Sequence, residues 1–580
     1  MRLLDAAPDR SLRAVVTENF VLAAALSISA SAGTIGQVLR GEMINPDSYM
    51  RLVRLHDELA VGHTLEAVAR DGSGQGTVLA WSHLLDSLVV LLAAPFGLLT
   101  DPDTAVRWAG ILVGPLSIGA LGAALGWAVA PVADRRFLWS AAVACALAPL
   151  ILGYGMVGVL HHHVLLAVVT TMTAGWALRL SLGMGGTAAG IAMGTWVAAG
   201  IWLSPETMPF GLLAFGGVAL AWLMAPETPG LRTGIAATGT ALLGVVIAAL
   251  LVDAPSGGMF AAEIDRLSGV YLALGAACCA AGWAIAGLGR IAGATVASLC
   301  LAAWLAAFPS LLGGAEAVVT PEQARAMLAH IREMEPVHGL VDVVAYLGGG
   351  MAATGLLGWL TWRRRSAMLA YLVLCGAFIV TEGAIHVRFS TYAATLAVAL
   401  LPVALTLATR SLGDRGAWLL APVRAGLVGL TVCLPWLMPM LPGHAHASSS
   451  TQGMECHTLA GAALLNPYPG RIVLAEPNDA PELLYRTGAL TVGSLYHRNA
   501  AAFMRLRAAW RSQPGTVPDA AVIATGATLF LVCPRAERSP RVADLPKDTL
   551  LDRLWAGEAP PWLHQVAAEP SGYVLYEKLP

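Results

Sequence analysis

Four short polar motifs interrupt an otherwise apolar chain, and their residue types could together manage a metal ion and an anionic, lipid-borne substrate. They are Asp47 in Asn45-Pro46-Asp47-Ser48-Tyr49, the run His161-His162-His163, Glu333 in Ile331-Arg332-Glu333-Met334-Glu335-Pro336, and Arg388 in His386-Val387-Arg388-Phe389. An ionisable group in the bilayer costs roughly 3 kcal/mol or more, so where one persists it is usually paired, solvated or functional. The Asp47 carboxylate, followed by Arg51, Arg54 and His56, can hold a divalent ion or take a proton; turn and helix-cap chemistry is the ordinary alternative. Positions i and i+2 of an extended chain share a side, so His161 and His163 can face one ion. Imidazole suits Zn, Mn or Fe better than Mg. Glu333 reads either as a functional carboxylate or as a helix-face partner of Arg332. Arg388 offers the planar fork that binds phosphate bidentately, or a side chain snorkelling to the interface. His83, in Trp81-Ser82-His83, has the ordinary reading of an interfacial histidine. Glu206, in Ser204-Pro205-Glu206, suits a helix cap and a sugar-hydroxyl ligand equally.

The elements that must position these residues are membrane helices. The chain is 57% hydrophobic and 12% charged with a mean hydropathy of +0.67, far from the roughly 25% charged of soluble domains. Its net charge of −2 gives no reason to expect nucleic acid. Thirteen apolar segments approach the about 20 residues that a span needs: 19–37, 105–131, 137–154, 164–181, 186–203, 210–225, 234–252, 268–288, 292–312, 340–361, 367–384, 391–409 and 417–441. The first is read as a retained span rather than a signal peptide, since no small-residue cleavage site follows it. Arginine concentrates in one set of connectors, at 134–136, 179, 232, 290, 363–365 and 410–415. The positive-inside rule makes that side cytoplasmic. All four motifs fall in the other set, 41–103, 155–163, 204–209, 253–266, 313–337 and 382–390, which places them outside together with the C-terminal region. The expected location is a bacterial inner membrane, with the N-terminus cytoplasmic.

Two of the outer loops are long. Loop 41–103 holds an apolar piece, 84–99, too short for a span and read as an interfacial helix, with a re-entrant segment as the alternative. Loop 313–337 contains Thr320-Pro321-Glu322, a helix start with proline in its first turn. Two regions are expected: a transmembrane domain, 1–442, and a small extracytoplasmic α/β domain, 443–580. The second rests on strands at 471–476, 490–495, near 528–533 and 573–577, alternating with helices at 481–486 and 499–511. Six cysteines lie in apolar segments. Cys456 and Cys533 lie in the polar C-terminal region, where a disulfide is permitted if that region is outside the cell.

The order of the motifs resembles the catalytic subunit of oligosaccharyltransferase, including the single-subunit bacterial and archaeal enzymes, with a GT-C fold of thirteen spans. Asp47 resembles the first-loop metal-binding aspartate of that family. Gly158-Val159-Leu160-His161-His162-His163 is similar to its archaeal Gly-x-x-Asp-His-His pattern, and Glu333 matches the glutamate of its fifth-loop Thr-Ile-x-Glu motif. Arg388-Phe389-Ser390-Thr391-Tyr392 is similar to an Arg-Phe-x-x-Tyr segment whose arginine contacts the lipid diphosphate. His83 falls near a first-loop histidine that joins the metal in archaeal relatives. The resemblance covers about residues 15–440. It implies a membrane glycosyltransferase that moves a sugar or oligosaccharide from a polyprenyl-diphosphate carrier to a protein or glycolipid acceptor. Asp47 and Glu333 would be catalytic, Arg388 would bind the diphosphate, and Asp47, His161, His163, His83 and Glu333 would hold a divalent metal, Mn²⁺ or Mg²⁺ with Zn²⁺ as a third option.

The chain departs from that pattern twice. His161 stands where the family has a metal-binding aspartate, which removes one negative charge and shifts the preference toward Mn or Zn. No Trp-Trp-Asp-Tyr-Gly motif follows the last span, so sequon recognition does not follow; Tyr496-His497-Arg498-Asn499 stands in the C-terminal region with no role assigned by sequence. Three alternatives share the composition: a GT-C transferase using a polyprenyl-monophosphate sugar, a lipid-linked saccharide transporter, and an inactive homologue.

Overall fold

The computed structural model describes residues 11–328, 331–412, 417–432, 434–437, 456–534, 548–570 and 572–580. Eleven helices among them are long and apolar enough to cross a membrane, from Leu12–Ala30 to Val387–Leu412. The architecture is that of a multi-pass membrane protein with a small sheet near the C-terminus.

Two of the thirteen expected spans take another form. Segment 137–154 divides into Trp139–Leu147 and Pro149–Leu152, because Pro149 pushes the residue before it out of the helical region; Ala148 lies at φ −69°, ψ 117°. The break frees the following ten residues to run irregularly and carry Tyr154 and the histidine run to one end of the bundle. Segment 417–441 is described as Ala417–Val432 and Leu434–Leu437, and its remainder lies outside the described residues, as does the expected boundary at 442.

Lipid supplies no hydrophobic force between helices, so close backbone approach through small residues holds them. Helices Gly186–Leu203 and Leu231–Val252 show this: a Cβ at Gly190 would collide with the Gly234 carbonyl, and one at Gly194 with that of Thr238. Gly239 lies equally close to the Cys278 carbonyl of helix Gly269–Gly287.

The six connectors that hold the motifs gather at one end of the bundle. Leu160 N–H donates to Ser48 Oγ (2.8 Å), Tyr154 joins Glu333 (2.6 Å), and Arg388 joins Glu206 (2.6 Å). Asp253 accepts from the His83 amide (2.9 Å), and Val387 N–H donates to the Glu335 carbonyl (3.0 Å). In the first long loop, helix Pro46–Val61 leads to an antiparallel pair, β1 (Ala67–Val68) and β2 (Thr77–Val78), then to helix His83–Ala93 and a 3-10 turn at Phe96–Leu98. Leu88, Leu91, Leu98 and Leu99 are exposed, as an interfacial segment requires. Asp86, on the buried face, receives the guanidinium groups of Arg51 and Arg54, all three nearly inaccessible. Removing one partner from such a group leaves buried charge uncompensated, costing about 3–5 kcal/mol. Asp86→Ala should therefore lower the unfolding temperature sharply, whereas Glu42→Ala, which loses only a pair with an exposed arginine, should leave it within a degree or two as weak surface pairs do. Thermal unfolding in detergent measures both.

At the C-terminus, β3 (Ile472–Leu474), β4 (Leu490–Thr491), β5 (Leu529–Val532), β6 (Leu563–Ala568) and β7 (Val574–Lys578) form a sheet of order β4-β3-β5-β7-β6. The first three are mutually parallel, with helix Ala480–Arg486 crossing from β3 to β4; β6 and β7 run antiparallel. Strand β6 was not expected, since His564 and Gln565 break its apolar alternation. Cys456 and Cys533 are bonded, with Cα atoms 6.0 Å apart. The sheet region is fastened to the first long loop. Tyr49 Oη donates to Glu482 (2.8 Å), Arg70 to the Thr487 carbonyl (2.7 Å), and Met50, Val53, Val68 and Leu79 pack on Leu484. Helix Pro321–Leu328, starting where Thr320-Pro321 marks it, packs Ala326 and Met327 on Ala500 and Phe503.

Candidate active site

Asp47 sits in the first turn of helix Pro46–Val61, whose start is fixed by Pro46 and by Asn45, an N-cap accepting from Ser48 N–H (2.8 Å). Asp47 Oδ2 lies 2.9 Å from His161 Nε2, and Oδ1 accepts from the Tyr496 hydroxyl at 2.8 Å. Burial alone would raise the Asp47 carboxyl, but His161, the Tyr496 hydroxyl and the Arg51 charge outweigh it and hold the group below the usual carboxylate range. Burial and the adjacent Asp47 charge push Tyr496 well up, so the phenol remains a donor.

The histidine run reaches Asp47 because Gly158 turns the chain. It has φ +87°, donates to the Ile111 carbonyl (3.2 Å), accepts from Ile44 N–H (3.1 Å), and faces Val38 and Ile44 so closely that no side chain fits. His161, His162 and His163 are all buried, and one nitrogen from each lies within 4.8 Å of the others. A carboxylate can only accept, so a neutral His161 carries its proton on Nε2. Its Nδ1 then accepts from His163 Nδ1–H at 2.5 Å. That arrangement leaves the lone pair on His163 Nε2, which is buried with no hydrogen-bond partner among the described residues. Burial, reinforced by the charges of Arg51 and Arg388, holds His162 well below the ordinary imidazole range and therefore neutral.

Tyr154 continues the chain of contacts. Its ring stacks on His163 at 4.5 Å and 11°, and its hydroxyl donates to Glu333 Oε2 at 2.6 Å. Glu333 thus reaches the histidines through Tyr154 rather than directly. Its 3-10 turn, Arg332–Met334, is docked by His386 Nδ1 on the Met334 carbonyl (2.9 Å). Arg388, in the turn before the helix starting at Ser390, places one guanidinium nitrogen 2.6 Å from Glu206 Oε2 and another 3.7 Å from Met334 Sδ. Tyr392 Oη donates to Glu206 Oε1 (3.1 Å), and Arg388 Nε has no partner among the described residues. Glu206, which sequence left between cap and ligand, is the counter-ion of Arg388.

His83 lies apart from the histidine run, in a group of its own with Glu58 and Asp86 whose ligand atoms lie within 4.8 Å of one another. Its Nδ1 lies 2.6 Å from Asp253 Oδ1 and its Nε2 3.2 Å from Glu58 Oε1, and Trp202 donates to the other Asp253 oxygen (2.8 Å). Burial alone would lower this imidazole, but the two carboxylates prevail and push it up to about 10. Asp253 lies 170 positions from His83, too distant for any local sequence signal to connect them.

No protein-family model matches the sequence, and no curated protein is significantly similar to it. Similarity appears in three dimensions. The archaeal oligosaccharyltransferase AglB from Archaeoglobus fulgidus, solved with an inhibitory peptide and a dolichol-phosphate, superposes with a TM-score of 0.67 over 90% of this chain and 69% of that one, at 11% identity. The fold is that of an archaeal oligosaccharyltransferase. The Archaeoglobus fulgidus oligosaccharyltransferase complexed with Zn and sulfate has a TM-score of 0.65 (97% of this chain, 74% of that one, 12% identity). The one tethered to an acceptor peptide with an NVT sequon has a TM-score of 0.67 (98% and 74%, 12% identity). The GT-C-like arrangement expected from motif order is therefore present at an identity too low for sequence comparison to find.

The residues at the site suit a divalent metal. A buried imidazole nitrogen without a partner loses its hydration uncompensated unless something binds there. His163 Nε2 is such an atom, with neutral His162, His161 and the Asp47 carboxylate beside it. A nitrogen-rich donor set favours Zn or Mn over Mg. Sequence reasoning overlooked Tyr154, which no motif marks. It singled out the segment that begins with Tyr496 but had no means of bringing it to Asp47.

Proposed function

We propose that this protein is a membrane glycosyltransferase of oligosaccharyltransferase type, transferring a sugar or oligosaccharide from a polyprenyl-diphosphate carrier to a protein or glycolipid acceptor at the outer face of a bacterial inner membrane. The observation that carries the reading is the continuous line of side chains from Asp47 through His161, His163, Tyr154 and Glu333 toward Arg388. It puts carboxylates, neutral imidazoles and an arginine at one end of the bundle, as displacement of an anionic leaving group requires.

The acceptor's hydroxyl or amide attacks the anomeric carbon, and the bond from that carbon to the diphosphate oxygen breaks. The nucleophile's proton passes to the Asp47 carboxylate, which His161 and Tyr496 hold in place, or to Glu333 on the far side of Tyr154. The Arg388 guanidinium, kept charged and oriented by Glu206, donates to the diphosphate as it gathers the leaving electron pair. Asp47, His162 and His163 would hold a divalent metal, with His161 joining them if its Nδ1 exchanges the His163 hydrogen bond for the ion; the chemistry it would supply is to offset negative charge beside the diphosphate. Loop 313–337, which carries Glu333, packs Ala326 and Met327 on the C-terminal region and sets Met334 beside Arg388, so it can order over bound donor as lids do.

Mass spectrometry of periplasmic proteins and glycolipids with and without this protein should reveal one glycan that is lost on deletion. With purified protein, a polyprenyl-diphosphate sugar should be consumed and the matching monophosphate left intact; the reverse preference would sink the donor assignment. Exhaustive chelation should abolish transfer and Mn²⁺ or Zn²⁺ restore it. Full turnover after chelation would remove the metal from this scheme.

A further inference from the structure

The phenol of Tyr496 crosses from the sheet region to the helical bundle and ends on Asp47. We infer that Tyr496 is a positioning residue of the site, fixing the Asp47 carboxylate for the chemistry proposed above, on which this inference rests. An aspartate side chain in a first helical turn has two free torsions, and its oxygens can rotate out of line with a reacting atom. Here each oxygen has one anchor: Oδ2 meets His161 Nε2 at 2.9 Å and Oδ1 receives the Tyr496 hydroxyl at 2.8 Å. Removing the phenol oxygen leaves one anchor, about which the carboxylate turns.

Tyr496 is itself held more firmly than a fold contact needs. Its ring meets Trp81 edge-on (5.2 Å between centroids, 88°), and Trp81 is covered by the Arg51 guanidinium at 4.6 Å and lies beside His162. The next three residues pin the backbone. His497 Nε2 and Arg498 Nε reach Asp265 Oδ2 at 2.7 and 2.8 Å, and a second Arg498 nitrogen reaches Glu263 at 2.5 Å. Asn499 Nδ2 donates to Thr77 Oγ1 (2.7 Å) and the Gly76 carbonyl (3.2 Å), fitting against Gly72 so tightly that a Cβ there would lie 2.5 Å from it. Two loops of the bundle, 41–103 and 253–266, thus grip the segment whose first residue touches Asp47. The C-terminal region is thereby part of the site, not only its neighbour.

Tyr496→Phe separates the hydroxyl from the packing, because the ring and its Trp81 contact remain. In the full-length protein in lipid nanodiscs, kcat should fall about tenfold or more, the scale of a lost hydrogen bond to a charged group, with donor KM unchanged and the unfolding temperature lowered no further than in the control variant below. Mn²⁺ affinity, measured by calorimetry, should fall about 10–100-fold, as it does when the partner orienting a metal-binding carboxylate is removed. Tyr573→Phe removes the hydrogen bond of another buried phenol, to Asp479 (2.9 Å), in the same sheet region without touching Asp47 or residues 496–499, so it should lower the unfolding temperature and leave kcat and Mn²⁺ affinity at wild-type values. Wild-type kcat and Mn²⁺ affinity in Tyr496→Phe would overturn the inference, as would an equal loss of kcat in Tyr573→Phe. If the wild-type protein transfers no sugar, the proposed reaction fails by itself. The Mn²⁺ titration then decides: a weakened Tyr496→Phe supports the positioning role, and equal affinities, or binding by neither protein, overturn it.

Discussion

Asp47→Ala should abolish transfer, lowering kcat by about 10²–10⁴-fold, the range for loss of a positioned acid or base, while the protein still folds. The effect is large because Asp47 is the carboxylate that touches the histidine run directly, and both of its oxygens are engaged there. The cost to the fold is small by comparison. The substitution leaves His161 Nε2 and the Tyr496 hydroxyl without their acceptor, about 1–3 kcal/mol of lost compensation, and Asn45 and Pro46 still start the helix. Asp47→Asn refines the test, since it keeps the shape and one acceptor oxygen but removes the charge. It should fold as the wild type does and remain inactive. Turnover of a polyprenyl-diphosphate sugar, measured beside the unfolding temperature, checks both variants, and wild-type turnover in either removes Asp47 from the chemistry.

Arg388→Ala should cost transfer about 10²–10³-fold, the scale of losing one donor to developing negative charge, and it should also lower stability. The two losses have separate origins. Arg388 and Glu206 are mostly buried and 2.6 Å apart, so removing the guanidinium strands a carboxylate that, among the described residues, keeps its hydrogen bond to Tyr392. The double variant Arg388→Ala/Glu206→Gln removes that stranded charge. It should recover most of the lost unfolding temperature and none of the lost transfer. Recovery of turnover together with stability would show that Arg388 serves the fold alone. Arg388→Lys should be intermediate in stability and poor in transfer, because an ammonium cannot reproduce the planar fork.

Much of the fold was legible because its signals are local. Runs of about 20 apolar residues mark spans wherever they lie, and all eleven long helices fall on expected segments. Pro149 divides the expected span at 137–154, a rule about proline that the hydropathy of the segment masked. Strands β3, β4 and β5 lie within their expected segments, and β7 overlaps its own, ending one residue beyond it at Lys578. Strand β6 was missed, since His564 and Gln565 are both exposed on it and give no alternation.

By itself, the sequence determined that the protein lives in a membrane, which segments are apolar enough to span it, and which rare polar residues survive among them, since composition and hydropathy depend on each residue and its near neighbours. Tertiary structure alone decided which of those residues meet. Tyr496 lies 449 positions from Asp47, Arg388 lies 182 from Glu206, and Glu333 lies 179 from Tyr154. His83, placed in the metal-binding set by its likeness to a first-loop histidine, pairs with an aspartate 170 positions distant. Hydrogen bonds are made within about 3 Å, and chain order places no atom to that accuracy across a bundle packed helix against helix.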